Sequence, residues 1–166
     1  MQNPQVLIVM GSDSDFPVME EGAKVLAEFG IPYEMRISSA HRSPKQTAAL
    51  AEEAAGRGIR VIIAGAGMAA HLAGAIASGT VLPVIGVPMG GGALEGLDAL
   101  YSTVQMPGGI PVATMAIGKA GAKNAGIFAA QILALGDENL TAALKSDRER
   151  MAEAVAAQDR SLQVKN

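Results

Sequence analysis

The 166-residue chain contains two histidines, and the first stands in company that could do chemistry. His41 lies in the run Ser38-Ser39-Ala40-His41-Arg42-Ser43-Pro44. Histidine titrates near neutral pH and is the commonest general acid or base. Arginine binds phosphate or carboxylate through a planar fork of donors, and Ser39 adds a hydroxyl. Ser43-Pro44-Lys45-Gln46 has the form of a capping box with proline at the first helical position, so a helix should start there. Its positive end favours an anion. This pattern predicts an anionic substrate, with proton transfer at His41. The plainer alternative is a solvated loop histidine beside a surface arginine.

Three other stretches could join it. Gly11-Ser12-Asp13-Ser14-Asp15 joins an apolar run to a helix start and makes an anion-ready turn. Its aspartates argue against direct contact with phosphate. A carboxylate there suits ribose hydroxyls, while serine and backbone donors suit phosphate. Simple N-capping of the next helix by Ser14 or Asp15 is compatible with either role. Gly65-Ala66-Gly67-Met68-Ala69-Ala70 matches the dinucleotide fingerprint G-x-G-x-x-A. That fingerprint needs an acid at the end of the following strand, and Val84–Val87 supplies none. These glycines are better read as letting a small ligand approach the backbone. His71 follows this turn closely enough to reach a ligand. Its plainer reading is a partly buried helix histidine satisfied by a neighbour.

Positioning these turns requires alternating strands and helices, and the chain supplies them. Gln5–Met10, Tyr33–Ile37, Val61–Ala64, Pro83–Val87 and Val112–Ile117 are apolar or alternating runs of strand length. Between them, helices are expected from Ser14 or Asp15 to about Phe29, from Ser43 to Arg57, from Met68 to Ala77 and over about Leu94–Val104. Two more are expected over about 122–135 and 138–162, the latter charged and amphipathic. Such alternation predicts a single α/β domain over residues 1–166, with a three-layer flavodoxin-like or Rossmann-like parallel sheet, helices on both faces and an extra C-terminal helix. Ligands bind such sheets beyond the carboxyl ends of the strands, where the turns at Gly11–Asp15, Ser38–Ser43, Gly65–Ala70 and Pro88–Gly92 all fall.

Composition narrows the classes. A net charge of −3 gives no electrostatic footprint for nucleic acid or an anionic membrane. The absence of cysteine removes disulfides, thiol redox chemistry and thiolate zinc sites. Two histidines in separate units, without H-E-x-x-H, make a metal site unexpected. From Val61 to Gly118 the only charged residues are Glu95 and Asp98. Gly65, Gly67, His71, Gly74, Ser78 and Pro83 nevertheless interrupt every run approaching the ~20 apolar residues of a membrane span. The start lacks the basic region of a signal peptide, which favours a cytoplasmic protein. The helix from Asn124 to Leu135 is apolar almost all round, which predicts burial against another subunit and a homo-oligomer.

Taken together, these residues make the chain resemble the bacterial-type, class I N5-carboxyaminoimidazole ribonucleotide mutases of the aminoimidazole ribonucleotide carboxylase family. The resemblance rests on Val-Met-Gly-Ser-Asp-Ser-Asp at 9–15, Ser-Ala-His-Arg at 39–42, Ile-Ile-Ala-Gly-Ala-Gly at 62–67 and Ala-Ala-His-Leu at 69–72. It extends to Leu-Tyr-Ser-Thr-Val-Gln-Met-Pro at 100–107 and Ala-Ile-Gly-Lys-Ala-Gly-Ala-Lys-Asn-Ala at 116–125. It implies a cofactor-free enzyme of purine biosynthesis that moves a carboxylate from N5 to C4 of an aminoimidazole ring. The carbamate would lose CO2, which stays trapped and recombines at C4. His41 would shuttle the proton. Ser12, Asp15 and Arg42 would hold the ribose phosphate, and Ser14, Ser39, Gly65, Ala66, Gly67 and His71 complete the expected substrate contacts. The resemblance also implies a homo-octamer with sites near subunit interfaces. Met68, Ala73 and Gly90-Gly91-Gly92 depart from the family pattern, in or beside turns expected at the CO2 pocket.

Rival functions are distinguishable. Direct carboxylation of the aminoimidazole ribotide by CO2 is the nearest, and Ala69-Ala70-His71-Leu72 resembles the mutase type instead. A signalling receiver domain needs an aspartate at the end of the third strand, where Ala64 and Gly65 stand. A flavin carrier would call for more than the five aromatic residues present. A ribotide-binding module without catalysis is the remaining alternative.

Overall fold

The structure, a computed structural model, describes residues 3–163. Five strands form one sheet: β1 (Val6–Met10), β2 (Tyr33–Ile37), β3 (Val61–Ala66), β4 (Val84–Pro88) and β5 (Ala113–Thr114). Their order is β2-β1-β3-β4-β5 and every pairing is parallel. This is the flavodoxin-like order, with its switch point between β1 and β3. The helices are α1 (Phe16–Glu28), α2 (Pro44–Ala54), α3 (Leu72–Ser78), α4 (Leu97–Val104), α5 (Lys119–Ala134) and α6 (Glu138–Gln163). The chain divides into two compact units between Ala129 and Ala130.

In the first unit, sheet alternation decides which helix covers which face. Leu7, Val9, Ile62, Ala64 and Val84 pack with Leu50, Ala51 and Ala54 of α2 and with Leu72, Ala73, Ile76 and Ala77 of α3. The other face carries Val6, Ile8, Met10, Ile63 and Gly65, and there a Gly65 Cβ would stand 2.4 Å from Met19 Sδ of α1. β1 is buried at all five positions, as a strand covered on both faces must be. β2 is an edge strand and stays half open.

Glycine allows two close approaches. A Cβ on Gly22 of α1 would lie 2.7 Å from the Ala122 carbonyl oxygen of α5, and one on Gly126 would lie 2.6 Å from the Gly22 carbonyl oxygen. The backbones of α1 and α5 therefore touch where neither can carry a side chain.

In the second unit, α6 runs for 26 residues, one residue beyond the predicted end. Asp137 Oδ1 accepts the Leu140 N–H at 3.0 Å, capping its start. Among the described residues no helix is long and apolar enough to cross a membrane.

Several element bounds differ from the sequence reading. β3 extends to Ala66, and α3 begins only at Leu72, because Met68 takes φ +55° and breaks helical geometry. α4 begins at Leu97, after Glu95 and Gly96 adopt positive φ, and not at Leu94. α5 starts at Lys119, three residues early, with Gly118 at φ +76° turning the chain into it. β5 shrinks from Val112–Ile117 to two residues.

Candidate active site

Pairing continues one step past the strand ends and levels the turns. Ser38 N–H donates to the Met10 carbonyl at 2.9 Å, Gly11 N–H to that of Gly65 at 3.2 Å and Met89 N–H to that of Ala66 at 2.9 Å. The turns after β1, β2, β3 and β4 consequently ring one cleft of about 540 Å3, a volume suited to a small-molecule ligand. Ser12, Ser14, Asp15, Ser39, His41, Arg42, Ala66, Gly67 and His71 all line it. Of the ten candidate site residues Gly65 alone does not, and Ala73, expected in or beside the pocket turns, is buried in the core. The missing Cβ of Gly65 makes room for the Met19 and Met89 side chains, so this glycine packs beneath the site.

The first turn is a 3-10 segment, Asp13–Asp15, ahead of α1. Asp15 does not cap α1 with its side chain. It turns back, and Oδ2 accepts the Ser12 N–H at 3.2 Å. Ser12 Oγ in turn accepts the Ser14 N–H at 3.4 Å. Burial pushes the Asp15 carboxyl above its ordinary value, against the lowering effect of backbone hydrogen bonds from Ser12 and Gly11.

The second turn is held by its serines. Ser38 Oγ and Thr47 Oγ1 lie 2.8 Å apart and buried, tying β2 to α2. Ser43 does not form the expected capping box. Its φ and ψ of −136° and 56° are not those of an N-cap, and its side chain points back into the turn. There Ser43 Oγ accepts the Ser39 N–H at 3.0 Å and donates to the Ser39 carbonyl at 3.1 Å. Ser39 Oγ accepts the Arg42 N–H at 3.2 Å. Arg42 reaches across to the turn after β1, where Nη2 donates to the Gly11 carbonyl at 2.9 Å. A guanidinium has five donors, so this anchor leaves others for an anion in the cleft.

The two histidines, 30 residues apart, meet. His41 Nε2 and His71 Nδ1 are 2.8 Å apart, with ring centroids 4.9 Å apart and planes at 86°. One nitrogen must donate and the other accept, and the tautomers of the two rings decide which. The reading of His71 as a partly buried helix histidine satisfied by a neighbour is corrected in its burial and its helix, while the neighbour is His41. His71 precedes α3, is exposed and contacts His41.

The remaining walls carry no charge: Ala66, Gly67, Met68 and Ala69 on one side, Met89 to Gly92 on the other. Gly91 and Gly92 have φ of +127° and +67°, backbone that an L side chain would strain. Met68 accepts that strain, at ~1–2 kcal/mol. Ser102 of α4 was not visible as a site residue in the sequence. Its Oγ accepts the Ala70 N–H at 3.0 Å, fixing the turn that carries Met68 and His71.

Known proteins resemble this chain over most of its length. The AIR carboxylase family profile matches residues 5–154. A Mycobacterium tuberculosis protein called N5-carboxyaminoimidazole ribonucleotide mutase is 53% identical over 98% of this chain and 92% of its own. A Thermotoga maritima protein of the same name is 57% identical over 89% of this chain and 85% of its own. The crystal structure of Treponema denticola PurE superposes with a TM-score of 0.86 at 32% identity, covering 96% of this chain and 98% of that one.

Proposed function

Because the chain belongs to the AIR carboxylase family, we propose that it interconverts N5-carboxyaminoimidazole ribonucleotide and 4-carboxy-5-aminoimidazole ribonucleotide, an isomerisation in purine biosynthesis. The observation that carries this reading is the His41–His71 pair set against an otherwise uncharged cleft wall. The carboxylate leaves N5 as CO2 when His41 delivers a proton to the nitrogen. The freed ring carbon C4 then attacks CO2, and the C4 proton returns to the histidine. No atom is gained or lost. Ser12, Ser14, Asp15, Ser39 and Arg42 hold the ribose phosphate, with Arg42 on the phosphate and Asp15 on the sugar hydroxyls. Ala66 and Gly67 lie against the base. Positioning and exclusion of water supply most of the remaining acceleration. The enzyme works in the cytoplasm as a homo-octamer.

The test is direct. The protein is mixed with N5-carboxyaminoimidazole ribonucleotide, without ATP or added metal, and appearance of the C4 carboxylate is followed. Aminoimidazole ribonucleotide with bicarbonate runs in parallel. Conversion of the first, faster than of the second, is expected. No conversion of the first overturns the mutase reading, and faster conversion of the second replaces it with direct carboxylation.

A further inference from the structure

Among the described residues nine have positive φ, and seven of them are glycine. The chain thus places glycine at most left-handed positions. Met68 is an exception at φ +55°, and the residue is 68% exposed, so core packing does not offset the strain. Nor is it a loose loop tip. The Ala70 N–H to Ser102 Oγ bond pins the turn two residues on, and Ser102 Oγ itself donates to the Asp98 carbonyl at 2.7 Å. Met68 lines the cleft, and its Cγ lies 3.9 Å from where a Gly92 Cβ would stand. An exposed methionine on a strained, pinned backbone therefore stands between the two uncharged walls, away from core packing.

We infer that Met68 is a cover for the CO2 end of the cleft: its thioether spans from the third turn to Gly90–Gly92 and hinders escape of CO2 between its release from N5 and its capture at C4. This rests on the mutase reading above. A thioether suits the task. It excludes water, gives no proton that could compete with His41, and its unbranched chain adapts to a planar ring. In the reaction the N5–C bond breaks, its electron pair stays on nitrogen with the proton from histidine, and CO2 is held by no covalent bond. Only enclosure keeps it. Escape would leave aminoimidazole ribonucleotide, with the CO2 hydrated to bicarbonate in solution.

The experiment uses N5-carboxyaminoimidazole ribonucleotide labelled with 13C in the carboxylate, in unlabelled bicarbonate with carbonic anhydrase present. The full-length protein is compared with Met68→Ala and Met68→Gly. The wild type is expected to carry the label into the C4 carboxylate, and both variants to lose it several-fold more often per turnover. Thermal stability of Met68→Gly is expected to equal or exceed that of the wild type, since glycine accepts this φ. A second measurement is independent of turnover. Oxidation of Met68 by hydrogen peroxide, read by mass spectrometry, is expected to slow several-fold with saturating aminoimidazole ribonucleotide, while the oxidation rate of Met151 on α6 is the same with and without it. Equal label retention in all three proteins, or peroxide oxidation of Met68 indifferent to the ribotide while the wild type turns over, overturns the cover. A wild type that neither converts the labelled substrate nor shows protection overturns the mutase reading itself, and the cover with it.

Discussion

At the scale of single residues, the division of labour at the site can be tested by separating binding from turnover. His41→Asn removes the proton shuttle and leaves Arg42, Ser12 and Asp15 in place. We predict ribotide binding within a few-fold of wild type by calorimetry and turnover lower by ~10²–10⁴; near-normal turnover would reassign the proton transfer. Asp15 gives a prediction with a pH sign. Burial raises its folded-state pKa above the unfolded value near 3.8, so the stability associated with its protonated form is present below that value and lost as pH rises through the folded one. At neutral pH the ionised carboxylate is held against its preference. Asp15→Asn should then melt at an equal or higher temperature than wild type at pH 7, and that advantage should vanish below about pH 3.8. Ribotide affinity should fall at the same time. A variant melting well below wild type at pH 7 would show that the Ser12 hydrogen bond outweighs desolvation. The sequence exposed His41, Arg42, Ser12 and Asp15 because their chemistry is local: a titratable group, an anion fork, and hydroxyls at a helix start. The contact of His41 with His71 was not legible, since 30 residues separate them and only the pairing of β2 and β3 on either side of β1 brings their turns together. The packing role of Gly65 was illegible for a related reason. Glycine after a strand looks the same whether a ligand or a methionine sulfur fills the space.

At the scale of elements, strand and helix order was legible from apolar runs and their glycine and proline stops, whereas bounds set by backbone conformation were not. The late starts of α3 and α4 follow positive φ at Met68 and at Glu95 and Gly96, and propensity gives no warning of a methionine or glutamate in that region. Ser43 shows the same limit. The S-x-x-Q pattern announced a capping box, but its hydroxyl is taken by Ser39, and the helix starts without it. The contact between α1 and α5 supplies the prediction here. Gly126→Ala would put a Cβ 2.6 Å from the Gly22 carbonyl oxygen. Backbone cannot yield as a flexible side chain can, so a loss of ~1–3 kcal/mol is expected. It would be read as a lower urea midpoint with an unchanged slope. Gly136→Ala, with nothing within 4 Å, is the matched control, and equal effects of the two would remove the close approach as the cause.

At the scale of the whole molecule, apolar surface remains exposed after the chain has folded. Phe16, Ile37, Leu94 and Tyr101 are all exposed in the first unit, and α6 leaves Met151, Val155 and Leu162 uncovered at spacings of four and seven. Such surface is available for association, as the octamer proposed above requires. Light scattering should give a mass eight times that of one chain. A monomer retaining full activity would show that no partner subunit completes the site. Parallel pairing has one more consequence, and it concerns time. The cleft has no wall contributed by a single hairpin or helix: its histidines hang on β2 and β3, and both those strands are aligned only through β1, with Met10 opposite Ile37 on one side and Gly65 on the other. Contacts so distant along the chain form late, after much loop-closure entropy has been lost. During refolding, the capacity to grip a ribotide is therefore a clock for long-range strand pairing, and a chain with its helices formed but β1 unplaced has nowhere to bind.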